Sequence, residues 1–163
     1  MELRELVRQF ISISVIHRYQ ISRSASEVGL YFGQPPILQY ILEHDHCTQK
    51  DVAEACHISP ASAAISLKRI EKAGLIIRTP DPDDNRKNHL SVTSKGEDAL
   101  NQFRKICETT DKEMFKGFSE EDIDTLHSLL TRLHENLGSQ SLTPEEIRAL
   151  LKQSEEGENE NAS

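Results

Sequence analysis

The stretch TQKDVAEACHISPASAAISLKRIEK, residues 48–72, decides the fold, because it contains two helix starts separated by a short turn. Thr48 and Asp51 have the spacing of a capping box, in which two side chains satisfy the first backbone groups of a helix. Ser59 followed by Pro60 is typical of an N-cap with proline at the first helical position. The stretch therefore predicts a short helix, a tight turn and a second helix.

A β-hairpin is predicted directly after these two helices. Residues 75–79 and 89–93 are short β-prone runs, and residues 80–88 between them are rich in proline, aspartate and asparagine. Because the connecting segment also carries both acidic and basic residues, the hairpin has a long charged tip. A hairpin in this position, after two helices, is called a wing.

Further helices are predicted on both sides of this region, because apolar residues recur there at steps of three and four. The apolar stripes of residues 3–16 and 123–137 have more surface than one lean domain can cover, which indicates a dimer. Ser94 and Ser119 are the predicted caps of the two helices after the hairpin. The expected fold is mainly α with a small β-hairpin wing, as a winged helix-turn-helix plus a helical dimerisation region. Its parts are a first helix over 1–28, the winged helix-turn-helix over 29–97, dimerisation helices over 98–140, a short helix over 141–153 and a disordered acidic tail over 154–163.

The composition places limits on the class of protein. A chain of 163 residues fits one domain with an added arm, and 5% aromatic residues without tryptophan disfavour an aromatic-rich β sandwich. The net charge of −8 argues against a diffuse coat of nucleic acid. Residues 48–95, however, carry 8 lysines and arginines against 6 acidic residues, so a local cationic surface is expected there.

Several other classes of protein are disfavoured by what the sequence contains. No apolar run approaches the roughly 20 residues that span a bilayer, so we expect no membrane partner and a soluble, cytoplasmic protein. Three cysteines without a CxxC pair are expected to be reduced thiols. Histidines and cysteines occur at residues 44–47 and 56–57, and both residue types can bind zinc. Their spacing, however, does not match a zinc-binding motif. We find no catalytic motif either, and therefore predict no enzyme, no catalytic residue, no metal site and no cofactor.

The second helix of the deciding stretch has the chemistry of a DNA-reading helix. It opens with small polar residues, so it can approach base edges in the major groove, and cationic residues follow where phosphates pass. Arg86 and Lys87 at the tip of the wing can reach the minor groove or the backbone. Our predicted DNA-contacting residues are Thr48, Gln49, Ser59, Pro60, Ala61, Ser62, Ser66, Lys68, Arg69, Arg86 and Lys87.

Two other interpretations of the same segment stay open at this stage. Ala63, Ile65, Leu67 and Ile70 can simply fill a core, with the cations on a solvated face. Alternatively, a winged helix can bind a protein partner instead of DNA, and the acidic net charge favours that interpretation.

The chain resembles the MarR family of bacterial transcriptional regulators from about Gly29 to Leu100. The resemblance is carried by these residues in order and spacing: Gly29-Leu30, Gln34, Leu38, Thr48-Gln49, Val52-Ala53, Ile58-Ser59, Ile70 to Ile76, Arg78, Asp84-Asn85-Arg86 and Val92 to Gly96. As a combination this set is specific, although no single piece of it is.

The resemblance implies a homodimer that presents two winged helix-turn-helix units to a pseudo-palindromic operator. It further implies a repressor that a small-molecule effector releases from double-stranded DNA, or a metal- or redox-responsive variant of such a regulator. Asp84 matches the acidic residue that supports the wing arginine, here Arg86, while Asn85 stands where many members have a second arginine. The family's effector pocket lies where the dimerisation helices meet the DNA-binding lobe, and we expect His17, Tyr31 and Tyr40 to line it.

Overall fold

A computed structural model describes residues 2–31, 33–82, 88–138 and 146–147 of the chain. It separates into two compact units, Met1–Met114 and Phe115–Ser163. Its architecture confirms the predicted fold class of helices with one small hairpin. The elements are α1 (Leu3–Glu27), α2 (Gln34–Glu43), α3 (Gln49–Ala55), α4 (Pro60–Lys72), β1 (Ile76–Pro80), β2 (Asn88–Val92), α5 (Ser94–Met114) and α6 (Glu120–Asn136).

The hydrophobic core of the first unit collects apolar residues from α1 through α5 and from the segments that connect them. Each helix contributes the side chains of one face, as expected from apolar residues at helical spacing. Burying them is the main force that holds these short elements together, since isolated helices of this length are marginal in water. The fully buried side chains include Leu30, Ile37, Leu38, Ile41, Val52, Leu67, Ile70, Ile76, Leu90 and Leu100.

The hairpin is extended by the loop between α2 and α3. Its two strands are antiparallel, with Ile76 opposite Val92 and Pro80 opposite Asn88. On the other side of β2, the His46 amide donates to the Leu90 carbonyl at 3.1 Å, and the Leu90 amide donates to the Cys47 carbonyl at 2.8 Å. The loop before α3 and the root of the wing are therefore joined through backbone hydrogen bonds.

Both strands lie one residue away from their predicted positions, β1 later and β2 earlier in the chain. Leu75 does not begin β1, because its amide donates to the Ile70 carbonyl at 3.1 Å and closes the end of α4. Gly74 makes this closure possible with a φ of 74°, a left-handed conformation that glycine adopts without steric cost. Leu75 accepts a hydrogen bond from the Thr93 amide instead, just beyond the hairpin.

The prediction that Ser94 caps α5 is wrong by one residue. Ser94 is the first residue of the helix, and the Thr93 hydroxyl accepts a hydrogen bond from the Gly96 amide at 3.1 Å. The same hydroxyl donates to the Gly74 carbonyl at 2.7 Å, so Thr93 also fixes the helix start to the end of α4. Cys107 of α5 is half-buried.

The second unit contains α6, and here the predicted cap is confirmed. Ser119 and Asp122 form a reciprocal capping box, and the carboxylate of Asp122 has its pKa lowered by hydrogen bonds from the Ser119 backbone and hydroxyl. No residue of α6 is buried in the single chain. Of the predicted terminal helix, Glu146 and Ile147 are helical, and the rest of that prediction lies outside the described residues, as does the predicted tail.

Candidate nucleic-acid interface

The start of α3 is fixed by the capping box that its sequence predicts. The Thr48 amide donates to a carboxylate oxygen of Asp51 at 2.7 Å, and the Asp51 amide donates back to the Thr48 hydroxyl at 3.3 Å. The Thr48 amide and the Thr48 hydroxyl, which donates to the same carboxylate at 2.8 Å, lower the pKa of Asp51, because both bonds favour its charged form. Thr48 and Gln49, two predicted DNA contacts, are half-buried at this helix start.

The turn between α3 and α4 is tight because one residue adopts a left-handed backbone. His57 has a φ of 50°, which is uncommon outside glycine and asparagine, and its amide donates to the Glu54 carbonyl at 3.2 Å. The Ile58 amide then donates to the Ala53 carbonyl at 3.0 Å, and the Ile58 side chain packs against the core. Two helices are thus held at the short connection that a helix-turn-helix requires.

Helix α4 begins at the predicted cap. The Ser59 hydroxyl accepts a hydrogen bond from the Ser62 amide at 3.1 Å, and it donates to the Ser62 hydroxyl at 2.9 Å. Since its oxygen is already an acceptor for Ser59, the Ser62 hydroxyl has its own proton to offer a ligand. Both serines are exposed, as is Pro60.

The two faces of α4 have opposite chemistry. Its buried face consists of Ala63, Leu67 and Ile70, which anchor the helix to the core. The exposed face carries small, aliphatic and cationic side chains, and Ser66 is half-buried beside it. We call this surface the α4 outer face, and it consists of Ala61, Ser62, Ile65, Lys68 and Arg69.

One member of that face corrects an interpretation of the sequence. The core-filling interpretation placed Ile65 with Leu67 and Ile70, whereas Ile65 is 55% exposed. Helical spacing could have predicted this exposure. Residue 65 is two positions from both Ala63 and Leu67, which are buried, and two positions on a helix are about 200° apart.

The root of the wing is held by a histidine with two acceptors. The His89 ring on β2 lies 2.6 Å from the His46 carbonyl through Nδ1 and 2.8 Å from a carboxylate oxygen of Asp81 through Nε2. Below the hairpin, the Arg78 guanidinium donates to Glu71 of α4 at 2.9 Å. The predicted wing contacts Arg86 and Lys87, and the predicted supporting residue Asp84, lie outside the described residues.

A cavity of about 360 Å³ lies between α1 and α5, and His17 is one of its lining residues. The Nε2 atom of His17 is 2.8 Å from a carboxylate oxygen of Asp111 on α5. Tyr31 and Tyr40, predicted to share a pocket with His17, do not line this cavity: Tyr31 is exposed, and the Tyr40 ring stacks on His44. The remaining lining residues, which sequence reasoning did not identify, are Ile13, Ile16, Gln20, Glu113 and Met114.

Neither a metal cluster nor a reactive Cys47 is found in the part of the chain that the structure describes. Burial raises the pKa of the Cys47 thiol to about 11, which keeps it protonated and unreactive near neutral pH. Residues 2–31, 33–82, 88–138 and 146–147 contain no cluster of three or more potential metal ligands. Across those same ranges, none of the helices has the length and apolar character that crossing a bilayer demands.

A helix-turn-helix followed by a two-stranded wing defines a class, the winged helix-turn-helix proteins. The model of the MarR family matches residues 28–87 of this chain. The HTH-type transcriptional regulator BilQ of Clostridioides difficile (strain CD3) is 32% identical over 98 residues, which are 60% of this chain and 64% of BilQ. The match thus spans slightly less than two thirds of the length of that relative.

Solved structures share the architecture over nearly their whole length. The crystal structure of MarR is 26% identical with a TM-score of 0.61, and the match covers 84% of this chain and 98% of MarR. A variant of S. aureus MepR, solved bound to an oligodeoxyribonucleotide, has a TM-score of 0.65 at 23% identity, covering 84% of this chain and 99% of that one. This second likeness concerns the fold alone. The chain is thus similar to the MarR family in the sequence of residues 28–87 and in its fold.

Proposed function

We propose that this protein is a sequence-specific transcriptional regulator that binds double-stranded DNA through α4 and the wing. The observation that carries the proposal is the α4 outer face, where Ser62, Lys68 and Arg69 are exposed while the opposite face anchors the helix. Hydroxyl and cationic groups on one helix face suit base edges and phosphates in a major groove. The MepR variant, which shares the fold, is bound to an oligodeoxyribonucleotide, and this supports DNA as the partner.

The regulator acts as a homodimer on a pseudo-palindromic operator. In the single chain, α1 leaves large apolar side chains exposed, among them Val7 and Ile13, and α6 does the same with Leu129 and Leu133. Exposed apolar residues that recur along a helix mark an interaction surface, because water contact with them is unfavourable. Two subunits would present two reading helices to half-sites about one turn of DNA apart.

We further propose that the protein represses transcription and that a small molecule releases it from its operator. The cavity between α1 and α5 supports an effector site, since its lining combines apolar side chains with the polar groups of His17, Gln20 and Glu113. A protein that binds chromosomal DNA acts in the cytoplasm, and we propose that location.

The test is binding of the full chain to duplexes selected from a randomised pool, measured between about 50 and 200 mM salt. Affinity should fall steeply with salt, since each neutralised phosphate releases counterions. Arg86→Ala should weaken binding by about 1 to 3 kcal/mol and make the salt dependence shallower, with little change in stability.

The outcome also distinguishes the two classes of winged helix. A protein-binding module would select no sequence from the pool. It would bind every duplex weakly and with about the same affinity, through non-specific contacts with phosphates. That result would overturn the proposal. If the salt dependence of Arg86→Ala equals that of wild type, the wing tip does not contact DNA.

A further inference from the structure

We propose, on the basis of the DNA-binding function inferred above, that Ile65 determines specificity by contacting the methyl groups of thymine in the major groove. Ile65 occupies the middle of the α4 outer face and is 55% exposed. The other large apolar residues of this helix, Leu67 and Ile70, are completely buried. Ile65 is therefore the large aliphatic side chain that α4 presents outward.

Helix formation does not account for an isoleucine at this position. β-branched side chains lose rotamer freedom in a helix and have a lower helix propensity than alanine or lysine. Its 55% exposure also leaves more than half of its surface in water, and that part gains nothing from burial. The side chain is thus unfavourable for the free protein in both respects, and a bound partner would remove the second cost.

The neighbours of Ile65 determine which partner fits. Ser62 is one turn before it, and Lys68 and Arg69 are one turn after it, so all four lie on one helix face. Ala61, four positions before Ile65, is small and lets the helix approach a surface closely. Cations at the far end can hold phosphates while the serine meets a polar base edge, so the surface matches a groove of DNA.

Within that groove, the thymine methyl is the apolar group that base pairs offer. Its contact with an aliphatic side chain removes apolar surface from water on both molecules. Because χ1 of isoleucine is already restricted in a helix, little additional freedom is lost when the contact forms. One isoleucine between hydroxyl and cationic groups is also too small a patch to hold a hydrophobic protein partner.

The experiment compares thymine with deoxyuridine, which lacks only the methyl group, at each thymine of a duplex selected by the wild-type protein. Wild type should lose about threefold to tenfold in affinity at one or two positions per half-site. Ile65→Ala should bind the thymine and deoxyuridine duplexes equally at those positions. Ile147→Ala is the matched control, because Ile147 is a 41% exposed isoleucine outside the winged helix-turn-helix and the dimerisation helices, and it should discriminate as wild type does.

Circular dichroism of each variant confirms the fold before binding is compared. If wild type binds its selected duplex but does not distinguish thymine from deoxyuridine, or if Ile65→Ala keeps the discrimination, the assignment of Ile65 is overturned while the DNA-binding function stands. If wild type selects no duplex at all, the function itself fails. The two failures are thereby distinguishable.

Discussion

At the residue scale, Gly96 shows how closely α5 approaches the elements before it. Gly96 is buried, and a Cβ built on it would lie 2.2 Å from the Leu75 carbonyl oxygen and 2.7 Å from a methyl carbon of Val92. No real Cβ approaches backbone oxygen so closely, so the helix start must move if a side chain is added. Gly96→Ala should therefore lower the free energy of unfolding by about 1 to 3 kcal/mol, measured by urea denaturation.

Asp98→Ala is the control for this substitution, since Asp98 is an exposed residue two positions later on the same helix. It should change stability by less than about 0.5 kcal/mol. If Gly96→Ala were as stable as wild type, then the Leu75 carbonyl would have room to move, and the close contact would not constrain the helix start.

At the scale of elements, His89 couples the wing to the loop before α3. The ring contacts two acceptors, the His46 carbonyl through Nδ1 and the Asp81 carboxylate through Nε2. The carboxylate of Asp51 also interacts electrostatically with His89, and the His46 ring meets it edge-on at 5.9 Å. The ring therefore links β2, the segment after β1 and the loop before α3.

The consequence of removing the ring is the loss of these hydrogen bonds at the root of the wing. His89→Ala should therefore lower the free energy of unfolding by about 1 to 2 kcal/mol, measured by urea denaturation. The exposed His127 of α6 provides the control His127→Ala, which should change stability by less than about 0.5 kcal/mol. A His89→Ala variant as stable as wild type would show that these contacts do not hold the wing root.

Helix α4 supports a second prediction at this scale, which separates base contacts from phosphate contacts. Ser62 is in the first turn, which a helix-turn-helix directs at base edges, while Lys68 is farther along the α4 outer face. Ser62→Ala should change the ranking of selected duplex variants by about 1 kcal/mol. Lys68→Ala should weaken binding to all sequences about equally and reduce the salt slope by about 1.

Neither substitution removes the cap of α4, because the Ser62 backbone amide still donates to Ser59 when the side chain is shortened. Both variants should therefore fold. Equal losses on specific and non-specific DNA for both variants would mean that Ser62 reads no base, and that α4 enters the groove at another rotation.

At the scale of the whole molecule, exposed apolar residues on α6 require a partner. Leu129 is 48% exposed and Leu133 42% exposed, one turn apart on the same helix. We expect wild type to scatter light as a particle of about 37 kDa, twice the 18.5 kDa chain. Leu129→Glu combined with Leu133→Glu should give a monomer, since a dimer would bury two unpaired carboxylates per chain.

Thr131→Glu is the control for dimerisation, because it adds a charge to α6 at a residue about 200° around the helix from Leu129. It should leave the mass unchanged. A doubly substituted chain that still scattered at twice the mass would place the interface elsewhere.

The sequence by itself was sufficient to predict where a helix begins wherever the residues that determine this are close together in the chain. The helix caps at Thr48 and Ser119 and the Ser59-Pro60 start depend on residues within about four positions of one another, and all three are confirmed. The winged helix-turn-helix class followed from the order of these elements, and the resemblance to the MarR family followed from particular residues of the segment from Gly29 to Leu100.

Only the tertiary structure decided which of two adjacent residues with equal capping ability caps a helix. It also decided which residues that are distant in the sequence contact each other. Thr93 and Ser94 are both good caps, and Thr93 caps α5 because its hydroxyl also reaches the Gly74 carbonyl, 19 residues away. His17 meets Asp111 across 94 positions, and His89 meets His46 across 43. Such contacts depend on how the elements pack, and no periodicity of three, four or two residues encodes them, so the cavity and the clamped wing root appear only in the folded chain.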